Sequence, residues 1–250
     1  MSERWRSGLA LVLSLVLLGV VVQFGPGDEV AALRRAIGLG EDRLADPADV
    51  EPGGVYAYLQ TQPRDDEDPV GWDPCREIRY EVNTAGAPGS NERALTIVRE
   101  AVDEVARISG LRFSYEGTTD RRPQWRARFV PVGRNEPVLI SWADAREVRE
   151  LAGNVAGVGG AVAVDDGAGG RVRYVTGGLT LDVDAWDDLR RTPNGEDQQR
   201  ALVLHELGHV VGLGHVDSRE ELMYPDTTDR TTFGTGDLNG LVRLGSLPCR

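Results

Sequence analysis

Residues 205–215, His205-Glu206-Leu207-Gly208-His209-Val210-Val211-Gly212-Leu213-Gly214-His215, gather the side chains of this chain best suited to chemistry. His205 and His209 stand four residues apart, close to one helical turn, so a helix here presents both imidazoles on one face. Neutral imidazole is a good zinc ligand, and the two rings could hold one ion together. Glu206 lies one step round the helix, where a carboxylate could reach a water on that ion and take its proton. Gly212 follows His209 by three residues, where a residue without Cβ can take positive φ and end the helix. The chain can then turn back and bring His215 to the same ion. Three protein ligands leave a fourth position for water, the arrangement of a catalytic rather than a structural zinc.

The chain holds three histidines, and all of them fall in this stretch. Five fixed positions of uncommon residue types match by chance in roughly one chain in a hundred thousand of this length. That rarity weighs against an ordinary core helix whose histidines only satisfy hydrogen bonds.

The run resembles the long zinc signature of the metzincin metalloproteases, His-Glu-x-x-His-x-x-Gly-x-x-His. Downstream, Leu222-Met223-Tyr224-Pro225 resembles their Met-turn, whose methionine lies beneath the metal. These residues, and the step from His215 to Met223, are most similar to the matrixin branch. The short final helix suggested by residues 236–244 fits that branch as well, where an aspartate like Asp237 braces the Met-turn from behind. The resemblance implies an α+β, zincin-like metzincin catalytic domain: a twisted mixed β-sheet, two long helices and a small C-terminal subdomain with the Met-turn. It implies one catalytic Zn2+ on His205, His209 and His215, with Glu206 as general base and then acid. It also implies a protein or peptide substrate lying in the cleft as an added strand on the edge of the sheet, where pockets supply selectivity. Gly160, Ala161, Val162, Ala163 and Val164 are the candidate edge strand.

The chain departs from the matrixin pattern in several places. Val216 stands where serine usually follows the third histidine, and Thr227 where tyrosine often follows the Met-turn. With every histidine used, the second, structural zinc of animal matrixins cannot be built in its usual form. No Pro-Arg-Cys-Gly segment is present, so cysteine-switch latency is not implied. The strong resemblance covers about residues 200–245.

The elements that must position these residues can be read from periodicity. Residues 77–82 form a short strand, and Ser90 caps a helix to Ile108 with Ala94, Leu95, Val98, Val102, Val105 and Ala106 on one stripe, stopped by Gly110. Further strands are expected at residues 111–115, 125–130 and 138–142. Residues 160–164, 172–175 and 179–183 read as strands separated by glycine-rich turns. A helix from about residue 196 to residue 211 then carries the first two histidines.

Length and composition bound the rest. A chain of 250 residues accommodates one catalytic domain with an N-terminal extension. A hydrophobic content of 40% and a charged content of 27% are those of a soluble globular protein. Net charge of −12 disfavours nucleic acid and anionic membrane surfaces as partners. Every basic residue is arginine, a feature to which we attach no mechanism.

Arg4 and Arg6 precede an apolar run over residues 9–24, the pattern of a secretory signal or signal anchor. No small-x-small cleavage site precedes Pro26, so the reading leans towards an uncleaved membrane anchor. Either form sends the remainder out of the cytoplasm, secreted or membrane-attached. The expected organisation is residues 1–25 as signal or anchor, 26–70 as linker or propeptide, and 71–250 as the zinc metalloprotease domain. Within the linker, residues 28–38 could form a short helix, and residues 63–69 read as a solvated spacer.

Cys75 and Cys249 stand at opposite ends of that domain, which in an exported chain suggests a disulfide; two free thiols, or Cys75 blocking the zinc, are the alternatives. Bridging so long a loop contributes on the order of 4 kcal/mol in the chain-entropy model. Asp165-Asp166-Gly167 could bind Ca2+ through oxygen ligands, and an exposed turn is the simpler reading. Two rivals to proteolysis stand beside it. One is a catalytically silent zinc-containing peptide-binding protein at the cell surface, against which the intact Glu206 argues. The other is a purely structural zinc, for which no nearby cysteine offers a fourth ligand.

Overall fold

Ser90 starts the first long helix as its sequence suggests: its side chain accepts from Arg93 N at 3.3 Å, and Gly110, at φ 73°, closes the helix by donating to Ala106 O. The computed structural model describes residues 42–125, 136–165, 171–226 and 229–249. The apolar N-terminal run, the helix expected at 28–38, most of the strand expected at 125–130, Thr227, and Asp166 and Gly167 lie outside these residues. Among the described residues no helix is long and apolar enough to cross a membrane.

The compact unit Leu44–Pro248 carries the elements that follow. Its N-terminal part holds β1 (Ala57–Tyr58), β2 (Thr61–Gln62) and β3 (Asp65–Pro69). Then come β4 (Ile78–Asn83), helix α1 (Asn91–Ser109), β5 (Phe113–Thr118), β6 (Val138–Ala143), β7 (Gly157–Asp165) and β8 (Val172–Asp182). Helices α2 (Val183–Arg190) and α3 (Gly195–Val211), strand β9 (Leu213–Gly214) and helix α4 (Thr235–Gly245) complete the order.

The main sheet has five strands in the order β5-β4-β6-β8-β7. Neighbours are parallel except β7, which runs antiparallel to β8 at the end of the sheet. Val82, Ile140, Leu179 and Leu181 of the sheet share one core with Val98, Val102 and Val105 of α1 and with Val203, Leu204 and Leu207 of α3. Burial of this shared apolar surface sets the sheet and the two long helices against one another.

The mixed sheet and two long helices agree with the α+β expectation, but three local readings change. Residues 172–175 and 179–183 are not two strands across a turn; 172–182 form the single strand β8. The glycines between them mark close approach instead. A Cβ at Gly177 would lie 2.6 Å from Gly160 O, and one at Gly178 would lie 2.8 Å from Pro123 Cβ. Helix α2, absent from the sequence reading, starts at once after β8 because Asp182 caps it by accepting from Ala185 N at 2.9 Å.

The third change concerns the expected linker. From Leu44 on it belongs to the compact unit. There β1 pairs antiparallel with β9, and β2 and β3 form a hairpin that includes most of the expected spacer. Both cysteines are disulfide-bonded, which sets aside the free thiols and a zinc-blocking Cys75.

Helix α4 approaches the end of α1 so closely that a Cβ at Gly245 would lie 1.6 Å from Ser109 O. Since packed interiors relax only partly, Gly245→Ala should lower unfolding free energy by about 1–3 kcal/mol, read from the urea midpoint at unchanged slope.

Candidate metal centre

Helix α3 carries His205 and His209 one turn apart on the side towards its C-terminus, and Gly212, at φ 126°, releases the chain from it. The two residues of β9 follow and deliver His215. The three rings converge: His215 Nε2 lies 3.1 Å from His205 Nε2 and 3.1 Å from His209 Nε2. His205 Nδ1 is 2.8 Å from Leu222 O, and His209 Nδ1 is 2.8 Å from Leu213 O. A carbonyl only accepts, so each Nδ1 carries the proton and donates, leaving the Nε2 lone pair bare.

Bare lone pairs facing each other at this distance repel unless a cation stands among them. Nitrogens bound at 2.0–2.1 Å to a tetrahedral zinc lie about 3.3 Å apart, so the donor set fits that ion with little movement. Burial also keeps the rings neutral, lowering His205 to about 4 and His209 to about 3, with His215 lowered by the same cause. His209 is buried and His215 exposed, so the cluster opens to solvent on the side of the third ring.

Glu206, next to His205 on α3, is 5% exposed, and burial raises its carboxyl to about 8 in the metal-free chain. Its cover is the edge strand. A Cβ at Gly157 would stand 2.7 Å from Glu206 Oε1, and one at Gly159 would stand 2.3 Å from Glu206 O. Only glycine lets β7 lie this close to α3. The sequence reading named neither residue for this role, although the Gly-x-Gly spacing at 157 and 159 carries the signal. Gly160, Ala161, Val162, Ala163 and Val164, expected at the edge, all lie in β7, and among the described residues no strand pairs with its outer side.

The segment expected as the Met-turn lies under α3. Met223 is buried, and its Sδ would be 2.6 Å from a Cβ at Gly208, one residue before His209. Val216 N donates to Met223 O at 3.1 Å, joining the His215 loop to this segment. Asp237, fully buried, accepts from Leu222 N at 2.5 Å and from Gly234 N at 3.0 Å. Burial raises its carboxyl to about 6. Glu221, which the sequence reading passed over, is a second buried carboxylate and accepts from Gly236 N at 2.9 Å and Asp237 N at 3.0 Å.

A mixed sheet whose edge covers a buried glutamate, beside three converging imidazoles on a long helix and the loop after it, defines the zinc-peptidase class. The sequence model of the matrixin family matches residues 71–244, and the chain belongs to that family, one of zinc-dependent endopeptidases. No curated protein matches the chain. Among solved structures it is similar to a chain of "GM1 bound form of the ECX AB5 holotoxin", with TM-score 0.37, 14% identity, and coverage of 68% of this chain and 80% of that one. A likeness so distant does not bear on the site.

The raised Glu206 carboxyl has a stability consequence in the metal-free chain. Its folded value is about 8 against 4.5 unfolded, so between these limits the folded state holds a proton that the unfolded state has lost. Stability from this group is full below the unfolded value and is lost as pH rises through the folded one. Relative to Glu206→Gln, unfolding free energy of the metal-free wild type should fall from pH 6 to 8 with a slope approaching about 1.4 kcal/mol per pH unit, measured by urea denaturation.

Proposed function

We propose that this chain is an extracytoplasmic zinc endopeptidase in which His205, His209 and His215 hold the metal and Glu206 moves the proton. The observation that carries this reading is the convergence of three imidazole Nε2 atoms beside a buried glutamate on the same helix. Zinc held there supplies a Lewis acid that brings the pKa of a water towards about 7.

The chain's own residues do the remainder. The carbonyls of Leu222 and Leu213 fix two of the rings through Nδ1, so that both present Nε2. Glu206 takes the proton of the attacking water at its carboxylate and returns one to the leaving amine. Strand β7 offers backbone groups to an extended peptide, whose side chains are then selected by pockets. Met223, beneath Gly208, serves as the Met-turn methionine, and Asp237 holds the turn from behind.

Residues 1–25 act in this reading as export signal or membrane anchor. Disulfide-bonded cysteines support an oxidising compartment outside the cytoplasm.

The full chain, loaded with zinc, should cleave members of a broad peptide library, and a zinc chelator should stop it. Glu206→Gln should lower kcat/KM by about 10²–10⁴-fold while zinc content stays at one ion per chain. A folded, zinc-loaded wild type that cuts nothing would transfer the chain to the peptide-binding reading.

A further inference from the structure

The β7–β8 ribbon is longer than the sheet that supports it. Strand β6 pairs with β8 only from Gly178 onwards, whereas β7 stays paired with β8 from Leu181 back to Val172. Residues 172–177 therefore overhang β6, together with residues 161–165 of β7 opposite them. A two-stranded ribbon on its own is marginally stable in water, so an overhang of this length needs a partner on its open side.

The hairpin β2–β3 supplies it. The Gln62 side-chain amide pairs with Val172 as a strand residue would: Oε1 accepts from Val172 N at 2.9 Å and Nε2 donates to Val172 O at 2.9 Å. The same Nε2 donates to Pro69 O at 3.1 Å, which ties the amide to the other arm of its hairpin. One residue pair further along, Tyr174 N donates to Gly71 O at 3.0 Å. Arg171 pairs with Asp68, and Arg173 with the mostly buried Asp73 at 3.3 Å. Gln62 and Asp68 precede residue 71, where the matrixin match begins.

At its other end β7 is fixed by the contact of Gly157 and Gly159 with Glu206. Six residues of strand take the edge from Gly159 to Asp165, about 20 Å at 3.3 Å per residue. An added peptide strand pairs only with an edge that holds its shape. We propose that Gln62 is a positioning residue for the substrate. It fixes the overhanging half of β7, residues 161–165, and so extends recognition to peptide residues lying along the edge up to about 20 Å beyond Gly159. The inference rests on the peptidase reading above and adds to it where along the edge the substrate is held.

The test compares wild type and Gln62→Ala as full, zinc-loaded chains on two peptides sharing one cleavage site. One carries six residues on each side of the scissile bond, the other two. Amide exchange at Val172 and Tyr174 is followed in parallel, without substrate. We expect faster exchange at Val172 and a KM about fivefold higher for the long peptide, the loss from roughly one hydrogen bond's worth of order. The short peptide should keep its kcat and KM, and zinc content should not change. Gln62→Glu, which keeps the acceptor for Val172 N but not the donor, should fall between. Should Gln62→Ala fail to fold, Gln62→Glu and Gln62→Asn carry the same comparison.

Equal losses on both peptides would reduce Gln62 to general stability and overturn the proposal. So would an unchanged long-peptide KM, whatever the exchange shows. A wild type that cuts neither peptide refutes the peptidase reading and the substrate role together, and the exchange data then decide the brace alone.

Discussion

Everything at this site depends on one electrostatic constraint: three neutral imidazoles must aim bare lone pairs at one point. Burial holds two of the rings firmly neutral, since a charged imidazolium is costly away from water, and His205 and His209 are lowered accordingly. Aim requires that the other ring nitrogen be occupied. The two acceptors that occupy it, Leu213 O and Leu222 O, both lie outside the helix that carries the rings. Helix α3 thus brings the histidines together but does not orient them. Orientation comes from the chain after Gly212, and the site exists only when that chain has folded back.

The same constraint explains the glycines around the helix. Glu206 is almost wholly buried next to His205 on α3, and β7 provides the cover. Strand and helix approach until backbone meets side chain, which a Cβ at Gly157 or Gly159 would forbid. Gly208 does the equivalent on the opposite side, where Met223 fills the space that a Cβ would need. Replacing the flexible thioether with a stiffer side chain would transmit any misfit to His209, since dense packing leaves little room to relax.

How much of this was legible beforehand follows from what each feature writes into the sequence. The convergence of the three histidines could be read because helical spacing and residue type specify it, and the family followed from the same run. Helix α1 was legible through Ser90, Gly110 and an apolar stripe. Strand β8 was misread because Gly177 and Gly178 look the same whether they make a turn or admit a close neighbour, and only Gly160 and Pro123 decide which. The packing of residues 44–70 was missed for a related reason. Strands of two residues carry no periodicity, and the acidic hairpin reads as a spacer when Gln62 and Val172, 110 residues apart, are not seen as partners. Backbone acceptors such as Leu222 O leave no mark in sequence at all.

That last acceptor shows why two buried carboxylates stand behind the turn. Leu222 O reaches His205 only if its peptide is held, and Asp237 holds it by accepting from Leu222 N at 2.5 Å. Burying a carboxylate is expensive, and the raised Asp237 value records that cost. Its position in the first turn of α4 offsets part of it, because the N-terminal end of a helix favours negative charge. Glu221 uses the same helix end, accepting from the free N–H groups of Gly236 and Asp237. Helix α4 is short, yet its N-terminus is where both Leu222 and the residue before it, Glu221, are anchored. The path from α4 through Asp237 and Leu222 to His205 is a run of hydrogen bonds with no long flexible side chain in it, so the ring inherits the rigidity of that helix.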